Sequence, residues 1–353
     1  MRLLKEKGYR FNTIIAAGNG PLFGEFEKLS DICCKFIAPQ ESRLKKRIRR
    51  LITVKEAEFE IAPFIQEIDF VFSNTLANGH IIQLIRKYYT GKIFSYVHEL
   101  ESIAATCTSE YSLKAGLLDS DQIFVPCRRV SDFLQTKYGV ENEKIKYLDY
   151  YIPSFNPPDA DEVELFKFKH SLKSSFIVGG LGNIEWRKGT DIFIEVAKEI
   201  NRKNADADIQ FMWMGGDPNG NEYKQVEYLL NTSGLKNKII LIPNSSSSGV
   251  FLKNISLLLL TSREDAYPVV VLEAASEKIP TVCFADSGGA VEFVENDSGI
   301  IANGFSIDEM INAVESCFKN PLLVEKLGMN AFLKVNKKHQ NPDSVLSQLS
   351  TVL

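Results

Sequence analysis

The chain has 353 residues, 44% hydrophobic and 24% charged. This is the balance of an ordinary globular protein with room for two cores, which excludes a disordered or fibrous chain. Lys+Arg 41 against Asp+Glu 45 leaves −4, so no chain-wide positive field attracts nucleic acid.

No apolar run approaches the roughly 18 residues that span a bilayer. The charged start MRLLKEKGYR is no signal peptide, and six cysteines without a CxxC pair are too sparse for a disulfide framework. The expectation is a cytosolic protein.

In chain order, residues 1–9 read as the tail of a helix running into a strand at 11–17. A doubly wound domain opens with a strand, so the chain is expected to start one βα unit late. GNGPLFGEF (18–26) is a Gly-rich turn entering a helix, without the spacing of a dinucleotide fingerprint. The run ESRLKKRIRRLI (41–52) carries Arg43, Lys45, Lys46, Arg47, Arg49 and Arg50 over an apolar stripe of Leu44, Ile48, Leu51 and Ile52. A helix of this kind suits an anionic membrane surface or a phosphorylated lipid acceptor. It equally suits a solvated helix that packs its stripe inward.

Strand patterns follow at 70–74, 93–99, 122–126 and 144–151, with helical patterns at 79–90 and 128–139. The Pro- and Asp-rich stretch 151–164 reads as a linker. The alternation then restarts, with strands at 175–182, 209–216, 238–243, 257–262 and 279–285 and helices at 190–203, 223–234, 267–278 and 306–320. Strands alternating with helices predict α/β architecture: two Rossmann-like, doubly wound domains at 1–155 and 156–353, with the last helix free to return to the first. Ligands of such folds bind at the carboxyl ends of the strands, here in a cleft between the lobes.

The richest segment is LLLLTSREDAYPVVVLEAASEK (257–278): a buried strand, an acidic turn, then a helix with Pro268 in its first turn. Seven residues separate Asp265 from Glu273. Two carboxylates beside a helix start that can bind phosphate suit a ligand rich in hydroxyls. GGLGNIEWRKGTDIFIEVA (179–197) places Arg187 and Lys188 between a strand and a helix, where fixed cations stabilise a departing diphosphate. Alone, the acidic pair also reads as a surface turn and the dibasic pair as a solvated helix entrance.

Together, in order, these segments resemble the donor-site motifs of the retaining family-4 ("group 1") glycosyltransferases, which have the GT-B fold. In that pattern a Glu is followed after seven residues by Glu-Ala; here Asp265, one methylene shorter, takes the first place, and Glu273–Ala274 the second. Glu264 is an out-of-register neighbour. The resemblance implies that Arg187 and Lys188 neutralise the leaving diphosphate and that Glu273 holds the ribose. Asp265 and the backbone of Ala266, Tyr267 and Pro268 then position the sugar. Many members carry an Arg where this chain has Asn183, after Gly182, so Arg187 is expected to act in its place.

The resemblance also sets Gly288 and Gly289 of SGGAVEFV near the pyrophosphate, although an ordinary strand–helix turn fits them as well. His98, in YVHELES, is placed facing the donor sugar from the other lobe; a strand-terminal His is otherwise a satisfied polar group.

The implied activity is transfer of a hexose-type sugar from a nucleotide diphosphate sugar to a glycan or lipid-linked acceptor, with retention. The setting would be cell-surface polysaccharide synthesis, in the cytoplasm or peripheral at the inner face of the plasma membrane. The first domain would face the acceptor and the second bind the donor. No metal and no cofactor beyond the nucleotide sugar co-substrate is expected, since no His/Cys cluster has metal spacing. The shortened Asp265 and the missing opening unit leave an alternative: a degenerate scaffold that binds nucleotide sugar without transfer.

Overall fold

In the computed structural model the described residues are 1–16, 20, 22–36, 61–154, 158–204, 207–236, 238–245 and 248–350. The basic run 43–50 lies outside them. The chain divides into two compact units: Met1–Val97, Ile103–Phe124 and Tyr138–Lys146 form one, and His98–Ser102, Val125–Lys137 and Tyr147–Leu353 the other.

The first unit follows the expected alternation. Strands β1 (Asn12–Ile15) and β2 (Ile32–Lys35) pair in parallel, while β3 (Phe70–Ser73), β4 (Lys92–Tyr96), β5 (Gln122–Val125) and β6 (Ile145–Tyr147) lie in that order in a four-stranded sheet. β2 has no counterpart in the sequence reading. Its residues, ICCK, are half-buried or exposed and hold two cysteines and a lysine, so no apolar β-branched run marks them, and pairing with β1 supplies the order that local pattern does not. The helices Glu101–Cys107 and Glu110–Asp119 were likewise not legible.

The second unit is built on one six-stranded parallel sheet: β7 (Phe176–Leu181), β8 (Ile209–Met214), β9 (Ile239–Ile242), β10 (Leu257–Leu260), β11 (Thr281–Phe284) and β12 (Gly299–Ala302), in the order β12-β11-β10-β7-β8-β9. Helices on the faces bury both sides, so β10 reads as an unbroken apolar run and β8 as one interrupted only by the buried Gln210. The helix Thr190–Lys203 buries seven residues, and Phe193 among them meets the rings of Phe211 and Trp213 on β8 edge-on. The expected linker ends sooner than its composition implied. Asp159 caps a helix, Ala160–Lys169, by accepting from the Asp161 N–H, so residues 160–164 are helical. The last helix, Pro342–Ser350, belongs to this unit, where Gln348 bonds the backbone N–H and carboxylate of Asp149.

The strand order reverses between β7 and β10, so the connections from these two strands leave in opposite directions and open a crevice at their carboxyl ends. Into that crevice run the loop after β7, with Arg187 and Lys188, and the loop after β10, with Glu264 and Asp265. The loops are stitched together: Arg263 N–H donates to the Arg187 carbonyl at 2.8 Å and the Thr261 hydroxyl to the Lys188 carbonyl at 3.2 Å. Gly189 permits this contact. Its φ is +68°, and a Cβ there would sit 2.0 Å from the Thr261 carbonyl oxygen.

Gly189→Ala is expected to destabilise the second unit by at least twice as much as Gly234→Ala. Gly234 has a similar φ of +73° but nothing within 4 Å of a Cβ, so its substitution carries only the left-handed strain of about 1 kcal/mol. Thermal melts of the two variants followed by circular dichroism decide it; equal losses would mean that the close approach at Gly189 carries no weight.

Candidate active site

The loop after β7 ends in a single 3-10 turn, Trp186–Lys188, that aims two cations at the next loop. Lys188 Nζ lies 2.5 Å from Asp265 Oδ2, with the two side chains only 17% and 10% exposed. The Ser262 hydroxyl donates to the same oxygen at 3.4 Å. Arg187 Nη1 stands 3.8 Å from Asp265 Oδ1 and donates to the Glu264 carbonyl at 3.1 Å, while Nη2 meets Glu185 at 2.8 Å. Its Nε is buried and donates to nothing among the described residues. Removing one partner of so enclosed a pair leaves a buried charge uncompensated, so the geometry is held tightly.

Asp265 is fixed from behind by the loop after β11. Its N–H donates to the Ser287 carbonyl at 2.7 Å, and the Gly289 N–H donates to the carbonyls of Asp265 and Ala266. Gly288 has φ +141°, and a Cβ on it would lie 1.8 Å from the Asp265 carbonyl oxygen. The two glycines thus admit the Asp265–Ala266 backbone rather than leaving bare space for a ligand. Cys127, whose thiol burial pushes up to about 12, keeps its proton and donates to the Ala266 carbonyl at 2.9 Å. Ala266 and Tyr267 are buried, and among the described residues their N–H groups donate to no acceptor. Pro268 stands one residue earlier than expected, as the N-cap of the helix Val269–Ser276. Its side chain cannot cap, so that helix start stays open to an anion.

The remaining expected residues are placed as follows. Both carboxylate oxygens of Glu264 lie 3.1 Å from the Ser102 N–H, and Oε1 accepts from the Ser102 hydroxyl at 2.6 Å, so this side chain is engaged by protein. Glu273, on the helix Val269–Ser276, is half-buried, and its carboxylate accepts no hydrogen bond among the described residues; burial alone raises its pKa. Gly182, with φ +152°, lies against the Lys188 stem, and exposed Asn183 accepts from Asn244 at 3.4 Å.

His98, two residues beyond β4, has Nδ1 2.8 Å from the Tyr150 hydroxyl, and burial lowers its pKa. Tyr150 in turn meets the ring of Tyr267 edge-on at 5.6 Å. The fold therefore gathers Arg187, Lys188, Asp265, Gly288 and Gly289 at one point, with Ala266 to Pro268 adjoining. Ser102, Cys127, Tyr150, Ser262, Ser287 and His339 are residues that sequence reasoning missed. No spacing marks them, because each meets the site only through tertiary packing. No group of three or more His, Cys, Asp or Glu that could hold a metal ion occurs among the described residues.

Residues 162–334 match the family described as glycosyl transferases group 1. The chain is 29% identical over 216 residues to the alpha-D-kanosaminyltransferase of Streptomyces kanamyceticus, a match covering 58% of this chain and 52% of that protein. It is 28% identical over 233 residues to the alpha-galactosylglucosyldiacylglycerol synthase of Streptococcus pneumoniae, covering 61% and 59%. The chain thus spans little more than half the length of these curated relatives. Among solved structures, Anabaena HepE in complex with UDP and glucose superposes with a TM-score of 0.78 at 15% identity, over 99% of this chain and 94% of that one. The fold is thus GT-B.

Glu273→Gln is expected to raise the thermal midpoint at neutral pH. A carboxyl whose folded pKa is raised binds more protons folded than unfolded between its ordinary and its raised pKa, so its burial destabilises the fold increasingly as pH rises through that window. The advantage of the Gln variant should fade as pH falls to the ordinary carboxylate range. Melting curves across that range that stay parallel would show the side chain to be solvated.

Proposed function

We propose that this chain, whose residues 162–334 belong to the glycosyl transferases group 1, moves a hexose-type sugar from a nucleotide diphosphate sugar to a glycan or lipid-linked acceptor with retention of configuration. The observation that carries the proposal is the Lys188–Asp265 pair at the carboxyl ends of β7 and β10, with Arg187 alongside. Breaking the bond between the anomeric carbon and the diphosphate builds negative charge on the phosphates. Lys188 and Arg187, already ordered, meet that charge without reorganising. The Ala266 and Tyr267 N–H groups, which donate to no acceptor among the described residues, and the open helix start after Pro268 are available to the same anion or to sugar hydroxyls.

Asp265 at its own length reaches and orients Lys188, so its shortness relative to Glu gives the scaffold alternative no support. Glu273, whose carboxylate accepts no hydrogen bond among the described residues, suits the ribose hydroxyls, which would satisfy it. The acceptor hydroxyl oxygen attacks the anomeric carbon from the face the diphosphate leaves, and its proton passes to the departing phosphate oxygen. Likeness to a protein solved with UDP and glucose supports a nucleotide diphosphate hexose donor. Likeness to a diacylglycerol glycolipid synthase supports a lipid-linked acceptor, and the Arg and Lys residues of the run 43–50 supply positive charge for an anionic lipid head group.

Hydrolysis of a panel of UDP-, GDP- and dTDP-sugars, read by release of the nucleoside diphosphate, tests the assignment. Lys188→Ala is expected to lower kcat about 10²- to 10³-fold, as loss of one preorganised donor does elsewhere. Unchanged turnover in a variant that remains folded would overturn the role. Because side chains supply the positive charge, turnover is expected to survive excess EDTA; its loss, with recovery on adding Mg²⁺, would transfer that role to a metal.

A further inference from the structure

Behind the donor loop lies a chain of aromatic and imidazole groups that the roles above do not use. His339, at the C-terminal end of the helix Pro321–Lys338, is completely buried. Its Nδ1 is 2.9 Å from the carbonyl oxygen of Tyr150, and its Nε2 is 3.2 Å from the hydroxyl of Tyr267. A carbonyl only accepts, so Nδ1 must carry the proton. Burial lowers the pKa of the ring, which is therefore neutral, leaves Nε2 bare and makes the Tyr267 hydroxyl the donor. One imidazole thus ties the backbone of Tyr150 to the side chain of Tyr267, a residue of the donor loop.

The other end of Tyr150 touches the candidate sugar-facing histidine, its hydroxyl 2.8 Å from His98 Nδ1. A phenol is the stronger hydrogen-bond donor and an imidazole nitrogen the stronger acceptor. Burial also pushes the Tyr150 phenol pKa upward, so the hydroxyl keeps its proton. The proton of neutral His98 then sits on Nε2.

We propose that Tyr150 is a positioning residue that holds His98 as the Nε2–H tautomer, and that His339 fixes Tyr150 and Tyr267 in register, so that His98 works as a hydrogen-bond donor to the sugar and not as a base. This rests on the reading of the site as a nucleotide sugar site, in the same way that the partner of a ligating histidine's second nitrogen sets its tautomer in metal centres.

The chain has four histidines, so the tautomers can be read one by one from long-range ¹H–¹⁵N correlations of the ¹⁵N-histidine-labelled full chain. The expected pattern is Nδ1–H for His339 and Nε2–H for His98. Tyr150→Phe is expected to move His98 to a mixture of tautomers and to leave His339 unchanged. The same variant should lower kcat for donor hydrolysis about tenfold with KM within about twofold, the scale of one hydrogen bond. The double variant with His98→Ala should be no slower than His98→Ala alone.

His339→Asn, whose amide N–H takes the place of Nδ1, is expected to keep the His98 pattern. An Nδ1–H signature on His98 in the unmodified protein, or a signature that Tyr150→Phe does not move, would overturn the proposal. Absence of turnover with every donor would instead count against the glycosyltransferase reading while the tautomer result still stood.

Discussion

The candidate site depends on one enclosed ion pair between two loops that are distant in sequence. Lys188 follows the first strand of the six-stranded sheet and Asp265 the fourth, yet their charged atoms stand 2.5 Å apart. Two largely desolvated charges persist only when each is compensated in a fixed geometry. The surrounding features supply that geometry. Gly189 lets one loop lie against Thr261, Gly288 lets a second lie against the Asp265 backbone, and Ser287 holds the Asp265 N–H. The glycines are therefore part of the electrostatics of the site, since a Cβ at either position would move a charge.

Around that pair the carboxylates divide by environment. Asp265 is neutralised by cations and Glu264 is held by Ser102, so neither is free to bind sugar hydroxyls unless its partner lets go. Glu273 is half-buried without a hydrogen bond among the described residues, which costs stability in the folded protein and suits a ligand rich in hydroxyls. Acidic residues that look alike in a motif thus take different parts because their neighbours differ. Functional sites commonly retain such locally unfavourable groups.

The sequence made much of this legible, for a physical reason in each case. Strands β7, β8, β10 and β11 are buried on both faces and so read as short apolar runs between amphipathic helices. Arg187, Lys188, Asp265 and Glu273 lie at the end of a strand or within a helix next to a recognisable apolar run, and the resemblance to the family's donor motifs is what singled them out there. β2 and β12 were not legible, since ICCK ends in Lys35 and is only half-buried and GIIA opens on Gly299, so neither stands out as an apolar β-branched run. The linker was drawn too long because its acidic residues, which resembled loop composition, are the cap and first turn of a helix.

By itself the sequence determined the α/β class and the place of Arg187, Lys188 and Asp265 at strand ends, because periodicity and spacing are local properties of the chain; only the resemblance to the glycosyltransferase family marked them as donor motifs. Only the tertiary structure decided which of those charges pair. It brought segments His98–Ser102 and Val125–Lys137 into the same compact unit as residues 147–353, and with them Ser102 onto Glu264 and Cys127 onto Ala266. It also joined Tyr150, Tyr267 and His339 across more than a hundred residues of chain. Hydrogen bonds and ion pairs depend on distances of a few ångströms between side chains, and for residues so far apart along the chain those distances exist only once the sheet and its helices have packed.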